Sequence, residues 1–309
     1  MHHFRQLKQV NFRQSWLTIG IFDGVHIGHQ AIIKDMVQEA SLAGVSTGVV
    51  TFYPHPVEVI HGISESIYLT SPDQRAELIS LLGVDYVLTL QFDRSLANQS
   101  AEEFIQSLNR QIGVKGLWVG NDFVLGKNRE GTINLIMTLG GQMGYTVKEM
   151  PKITVDGKFV SSSQIRQHIL LGEISQANKM LGRFYSLNGK VIKGIGRGKS
   201  LGIPTANIET WEKQILPPNG VYATLISFDQ QRFQSVTNVG LKPTFIDNPA
   251  KPIVETHIFD FEENIYEKML TLEFVEYLRK EVPFPNPQEL INQIRLDIQR
   301  TKEVLSHEP

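Results

Sequence analysis

The chain has 309 residues of which 41% are hydrophobic, long for one core and ordinary for a globular protein, so two domains are expected. Lys and Arg number 30 against 32 Asp and Glu, a formal charge of -2, which excludes a global pull toward nucleic acid or anionic membrane and makes any anion site local. Cysteine is absent, which rules out disulfides, thiolate metal sites and a cysteine nucleophile.

The opening MHHFRQLKQVNFRQ lacks the apolar core of a signal peptide, and no later run reaches the roughly 20 apolar residues of a membrane-spanning helix. A soluble cytoplasmic protein is the expectation, with small-molecule partners, no nucleic acid and no membrane; homo-oligomerisation stays open. From Trp16 the chain reads as a βαβ series. WLTIGIF and STGVVTF are strand-like, and between them HQAIIKDMVQEASLAG carries Ile33, Val37 and Ala40 at helical spacing. A helix follows at 72–82, with Ser71 as N-cap and Pro72 in the first turn, and then a strand at DYVLTL. A helix near 101–112, a strand at KGLWVG, a helix near 131–143 and a strand at YTVKEM complete this half. Crossovers of this kind build a doubly wound parallel sheet with helices on both faces.

Beyond about residue 183 the pattern changes to LNGKVI, GVYATLISF, FQSVTNVG, PIVETHIF and MLTLEFVEYL, separated by Gly, Pro, Asn and Asp turns. That reads as an antiparallel β-barrel. A closing helix opens at Asn286 and Pro287 with Glu289 in its first turn, and Ile291, Ile294 and Ile298 form its expected buried stripe. The α/β chain is therefore divided at Gly182 into residues 1–182 and 183–309.

The first chemical cluster is Gly20-Ile-Phe-Asp-Gly-Val-His-Ile-Gly-His29, at the end of the first strand and the start of the first helix, where open α/β sheets bind phosphate. Gly20 and Gly24 permit a tight turn beside Phe22 and Asp23, and Gly28 permits close approach at the helix start. His26 and His29, three apart, can share a face and donate to triphosphate oxygens as charge moves to leaving pyrophosphate. A metal site of the two histidines with Asp23, or plain packing histidines, are the competing readings. Ser161, Ser162, Ser163 and Arg166 at a later helix start offer hydroxyls, backbone N–H groups and a guanidinium as a second anion cradle.

The second cluster is GIGRGKSLGIPTAN at 194–207, which puts Gly196, Arg197, Gly198 and Lys199 in a flap suited to phosphate and differs from a Walker loop. Thr205 and Asn207 supply hard oxygens suited to Mg²⁺ bridging ATP phosphates, or else cap a turn after Pro204. Phosphoryl transfer to an alcohol also needs a proton acceptor, for which Glu255 is the candidate. Alternation places Glu255 on the face of His257 and opposite Val254 and Thr256, which by itself fits a solvent-facing carboxylate equally well.

The pairing of GxFDGVHxGH with SSSxIR resembles the HxGH nucleotidylyltransferase superfamily, and with TFYPHP at 51–56 and VGNDFVLG at 119–126 it is similar to the FMN adenylyltransferase module of bifunctional bacterial riboflavin kinase/FAD synthetases. GIGRGKSLGIPTAN, NVGLKPTF, ETHIFDF and LRKE resemble the riboflavin kinase module of the same family, in the same order. The resemblance covers about 15–300. It implies phosphorylation of riboflavin to FMN by ATP and Mg²⁺, then adenylylation of FMN to FAD. It assigns the catalytic base to Glu255, a nucleotide or flavin phosphate site to Asn121 and Asp122, and a ligand role to Arg279 of LRKE. His55 of TFYPHP is either functional or a structural loop residue. Departures are Val124 and Leu125 where the family reads DFRFG, Lys242 for arginine, and Glu267 where YGK is usual. Val124 and Leu125 leave open an N-terminal half with a different or lost adenylyl acceptor, and Lys127 or Arg129 can replace the missing charge; a flavin-sensing or regulatory protein that binds flavin without turnover is a separate alternative.

Overall fold

The computed structural model describes residues 1–63, 67–194, 198, 202–241 and 252–306. The chain divides into two compact units, one of Met1–Glu65 with Thr70–Ser162 and one of Ser66–Leu69 with Ser163–Pro309.

The first unit contains β1 (His2–Phe4), β2 (Trp16–Ile19), α1 (Ile27–Ala43), β3 (Thr47–Tyr53), α2 (Pro56–His61), α3 (Pro72–Ser80), β4 (Tyr86–Gln91), α4 (Arg94–Ala97), α5 (Ala101–Ile112) and β5 (Gly116–Gly120). It continues with the two-residue strands β6 (Val124–Leu125) and β7 (Gly131–Thr132), then α6 (Ile133–Met143), β8 (Thr146–Met150), β9 (Thr154–Val155) and β10 (Lys158–Phe159). Six strands form one parallel sheet in the order β1-β4-β3-β2-β5-β8. Neighbouring residues on a strand enter opposite layers, as strand geometry requires: Val50, Leu88, Leu117 and Val119 pack with α5 and α6, whereas Val49, Val87 and Trp118 pack with α1 and α3. The doubly covered sheet is thus as the periodicity predicts. The edge strand β1, in the MHHF segment, was not expected; it gains its order from pairing with β4.

After β2 the chain moves outward through β3 and β4, then returns to place β5 on the other side of β2. That reversal is the switch point at which open α/β sheets bind ligands, beyond the strands' carboxyl ends. The helix that leaves this point is anchored along its length: Asp35 of α1 accepts from Trp118 Nε1 at 2.8 Å and Lys148 Nζ at 2.6 Å. Burial alone would push the Asp35 carboxyl up, but these hydrogen bonds outweigh it and hold the group below the ordinary carboxylate value.

In the second unit, α7 (Ser162–Leu170, its first residue belonging to the first unit) and α8 (Ile174–Leu181) precede the strands β11 (Tyr185–Ile192), β12 (Ala206–Thr210), β13 (Gly220–Phe228), β14 (Gln231–Leu241), β15 (Pro252–Ile258) and β16 (Met269–Arg279), and α9 (Pro287–Leu305) closes the chain. The strands form a closed barrel, β11-β12-β15-β14-β13-β16. Five of them match the sequence pattern. The sixth, β12, begins in the last two residues of the segment read as a ligand loop. Helix α8 belongs with the barrel because Ile174, Ala177, Met180 and Leu181 are buried and Asn178 bridges strands, donating to Phe274 O at 2.9 Å and accepting from Tyr185 N at 2.7 Å. The compact unit therefore begins before Gly182, where the strand pattern begins.

Inside the barrel Thr224, Ser235, Thr237 and Thr256 are fully buried and joined by hydroxyl bonds of 2.7–3.0 Å. Buried hydroxyls demand partners, and this chain supplies them only when β13, β14 and β15 are in register. On α9, Asn286 caps the helix by accepting from Glu289 N at 2.9 Å. The expected isoleucine stripe is corrected: Ile291, Ile294 and Ile298 are half-buried, and the buried positions are Asp297, Thr301 and Leu305. Asp297 tolerates burial because Arg279 grips it with two hydrogen bonds, at 2.9 and 2.7 Å.

Glu267 sits at φ 69°, a left-handed conformation that favours glycine, and its side chain pairs with Lys190 at the surface. The glycine usual in the resembled family is explained by this backbone. Glu267→Gly relieves about 1 kcal/mol of backbone strain while removing a weak exposed ion pair. A higher unfolding temperature without change in either activity is the expected result of calorimetry on the variant.

Candidate active sites

The first site is built on the turn from β2 into α1. Phe22, Gly24 and Val25 have positive φ of 51°, 79° and 41°; only at Gly24 is this conformation without steric cost. The turn delivers His26 to the N-cap of α1, where its Nδ1 accepts from His29 N at 3.3 Å. The two rings stack at 3.6 Å between centroids, and Phe22 packs edge-on to His29 at 5.0 Å. Gly28 makes room for this pair, since a Cβ there would come within 3.1 Å of His26 Cε1; Gly20 similarly clears the Phe22 ring. An Nδ1 that accepts puts the His26 ring proton on Nε2, a donor suited to phosphate oxygen.

Asp23 is 1% exposed and turned into the protein, where Oδ1 accepts from Thr70 N and Thr70 Oγ1, both at 3.1 Å. Arg75, fully buried, faces the same oxygen at 3.5 Å. Ser162, the last residue of the first unit, donates through Oγ to Asp23 O at 2.9 Å. Ser163 is exposed, and Arg166 Nε donates to Ile67 O at 2.6 Å; both belong to the second unit. Among the described residues no group of three or more His, Asp or Glu is arranged to hold a metal ion.

Asn121 and Asp122 form the exposed turn after β5, on the other side of the switch point, with Lys152 Nζ 3.6 Å from Asp122. Val124 and Leu125 pair with Thr132 and Gly131 in a short hairpin; Leu125 packs on the core, and Lys127 and Arg129 are exposed in its turn. His55 caps α2, its Nδ1 accepting from Val57 N at 3.1 Å.

The second site lies on the outer face of the barrel. Glu255 is paired in register with Asn207 of β12 on one side and Asn238 of β14 on the other. Directly paired residues share a face with Cβ atoms about 5 Å apart, so one row presents a carboxylate between two amides. Val254 and Thr256 are buried while Glu255 and His257 are half-buried, the alternation expected from sequence. Asn238, outside the expected site set, donates to Glu281 Oε1 at 2.8 Å. Its signal was present in NVGLKPTF, but spacing alone assigned it nothing. Gly194 leaves room for the Asn207 amide, which any Cβ there would strike. Thr205 is exposed just before β12, and a Cβ at Gly198 would lie 3.1 Å from its Oγ1. Gly196, Arg197, Lys199 and Lys242 lie outside the described residues. Arg279 is in the same register row through Val221, with its guanidinium held by Asp297.

Residues 8–164 match the family model described as FAD synthetase, and residues 181–305 match that described as riboflavin kinase. The bifunctional riboflavin kinase/FMN adenylyltransferase of Bacillus subtilis is 35% identical over 301 residues, spanning 96% of this chain and 94% of that protein. The protein of the same name from Buchnera aphidicola of Schizaphis graminum is 34% identical over 299 residues, 96% of this chain and 95% of that one. A crystal structure from Streptococcus pneumoniae, described as a macrolide-efflux protein, superposes with a TM-score of 0.89 at 25% identity over 97% of this chain and 98% of its own. No helix among the described residues is long and apolar enough to cross a membrane. With both family models matched in order and these relatives aligned nearly end to end, the chain belongs to the bifunctional riboflavin kinase/FMN adenylyltransferase family.

Proposed function

We propose that this protein converts riboflavin to FMN and FMN to FAD, with adenylyl transfer in residues 1–182 and the kinase in 183–309. One observation carries the division of labour: each compact unit builds its own cluster, stacked histidines at a helix N-terminus in the first and a carboxylate between two amides in the second.

In the first cluster the FMN phosphate oxygen attacks the α-phosphorus of ATP, and the bond to pyrophosphate breaks. The nucleophile is already anionic, so positioning and charge stabilisation replace a strong base. His26 and His29 donate to phosphate oxygens, helped by the N-terminus of α1. Gly20, Phe22, Gly24 and Gly28 shape the turn around them, Ser162 and Ser163 open α7, and Arg166, one turn further along that helix, is assigned to the triphosphate. Asn121 and Asp122 are assigned to the phosphate or flavin side of the switch point. Different-acceptor and non-catalytic readings are not favoured: the FAD synthetase model spans 8–164, and Leu125 has a packing role of its own.

In the second cluster Glu255 accepts the proton of the riboflavin 5'-hydroxyl, whose oxygen attacks the γ-phosphorus as ADP leaves. Asn238 flanks Glu255 in register on the side away from Asn207. Thr205 and Asn207, with Glu255 adjacent in register, are the few hard oxygen donors that suit Mg²⁺, an ion that keeps most of its waters. When bound, the ion offsets charge on the ATP phosphates. The resemblance assigns Gly196, Arg197, Gly198 and Lys199 to those phosphates and a ligand role to Arg279, whose guanidinium Asp297 holds. A cytoplasmic location belongs to the same proposal, and ATP as substrate fits it.

Chromatography of products from riboflavin and ATP tests the whole reading. With Mg²⁺, FMN rises first and FAD with pyrophosphate follows; with chelator, FMN formation stops. Accumulation of FMN without FAD would overturn the bifunctional assignment.

A further inference from the structure

Arg75 is a fully buried guanidinium in the middle of α3, a helix that takes no direct part in either cluster. Its Nη1 donates to Ile21 O at 2.9 Å, Phe52 O at 3.2 Å and Thr51 Oγ1 at 3.4 Å, and its Nη2 reaches Asp23 Oδ1 at 3.5 Å. One side chain thus ties the ends of β2 and β3 to the phosphate turn. A buried cation is tolerated only when such acceptors surround it. Just before α3, Thr70 completes the brace in both directions: its hydroxyl donates to Asp23 Oδ1 at 3.1 Å and accepts from Gly24 N at 3.2 Å. Asp23 O in turn accepts from Ser162 at the start of α7.

The turn so held is strained. Phe22 and Val25 both adopt left-handed φ, and for a β-branched valine at 41° this is a true outlier. Such backbone persists only where the surroundings over-determine it, and it clusters where geometry has to be ready before chemistry. Val25 is the residue immediately before His26, so relaxation of the turn would move the N-cap imidazole and the ring stacked upon it.

We infer that Thr70 and Arg75 are positioning residues for adenylyl transfer: through Asp23 and Gly24 they hold the strained Phe22–Val25 turn so that His26 and His29 meet the transition state already aligned. This inference rests on the assignment of the turn to adenylyl transfer. Neither residue touches the reacting atoms, and Asp23 on this view is the hinge-pin of the turn and not a ligand.

The test uses the full chain with Thr70→Val, which keeps the shape and loses the hydroxyl, and Thr70→Ser, which keeps it. FAD formation is measured against ATP concentration, with riboflavin phosphorylation and thermal unfolding on the same preparations and His29→Ala as reference. Thr70→Val is expected to lower kcat and kcat/KM for ATP by one common factor of about 10–100, the size of effect that follows small misplacement of reacting groups. Kinase turnover stays unchanged, and Thr70→Ser restores adenylyl transfer to within about three-fold. Arg75→Lys, which keeps the buried charge without the fork, is read in the same way, so loss of fold in one variant leaves the other to decide. An unchanged kcat in the folded Thr70→Val protein, a rise in KM alone, or failure of serine to restore turnover overturns the inference. If His29→Ala itself retains FAD formation, the assignment of the turn falls instead.

Discussion

His29→Ala lowers FAD formation by about 10²–10³ and leaves FMN formation intact. The turn explains why this substitution isolates the ring: the bond that caps α1 runs from the backbone N–H of residue 29 to His26 Nδ1, and alanine keeps it. What disappears is an imidazole stacked 3.6 Å from its partner at the helix N-terminus. Loss of one aligned donor to developing phosphate charge corresponds to about 10²–10³ in rate. His26→Ala is the less clean experiment, because it also removes an N-cap worth about 1 kcal/mol. The measurement is FAD from supplied FMN and ATP, with riboflavin phosphorylation as the internal control. Retention of FAD synthesis, or loss of both activities in a folded protein, would contradict the separate assignment of the two clusters.

Glu255→Gln gives the opposite phenotype. The amide is nearly isosteric and can hydrogen-bond to Asn207 and Asn238 across the ladder, so the barrel has no steric reason to change. It cannot accept the hydroxyl proton. Riboflavin phosphorylation falls by about 10²–10⁴, the range general-base catalysis supplies, while FAD synthesis from supplied FMN persists. A variant that phosphorylates riboflavin at the parent rate would show that Glu255 stands in the row for packing alone.

The two clusters were legible to different degrees. The Gly20–His29 segment announces itself through glycine and histidine spacing after a strand, and the structure joins that strand to α1 as the pattern requires. Glu255 could be placed on the outer face by alternation, but its chemical assignment came from family resemblance. Asn238 and Glu281 carry no spacing that links them; strand register sets Asn238 beside Glu255, and a hydrogen bond across 43 positions joins it to Glu281. Strand β12 was hidden because a five-residue strand after a glycine-rich loop owes its order to β11 and β15 on either side. Arg279 reads as a ligand in LRKE and is found gripping Asp297, a polar residue on what looked like an isoleucine stripe.

The turn of the first unit shows the same limit most clearly. Its strand, helix, cap and glycines follow from local rules of backbone conformation and periodicity, which neighbouring residues determine, so the sequence by itself sufficed for them. A helical arginine reads as a surface charge, and only the assembled parallel sheet reveals that Arg75 is buried among the ends of β2 and β3 with Asp23. The row of Asn207, Glu255 and Asn238 and the hydroxyl chain beneath it likewise exist only in the closed barrel. These arrangements are decided by the tertiary structure because the cost of burying polar groups depends on which partners the fold brings from distant parts of the chain.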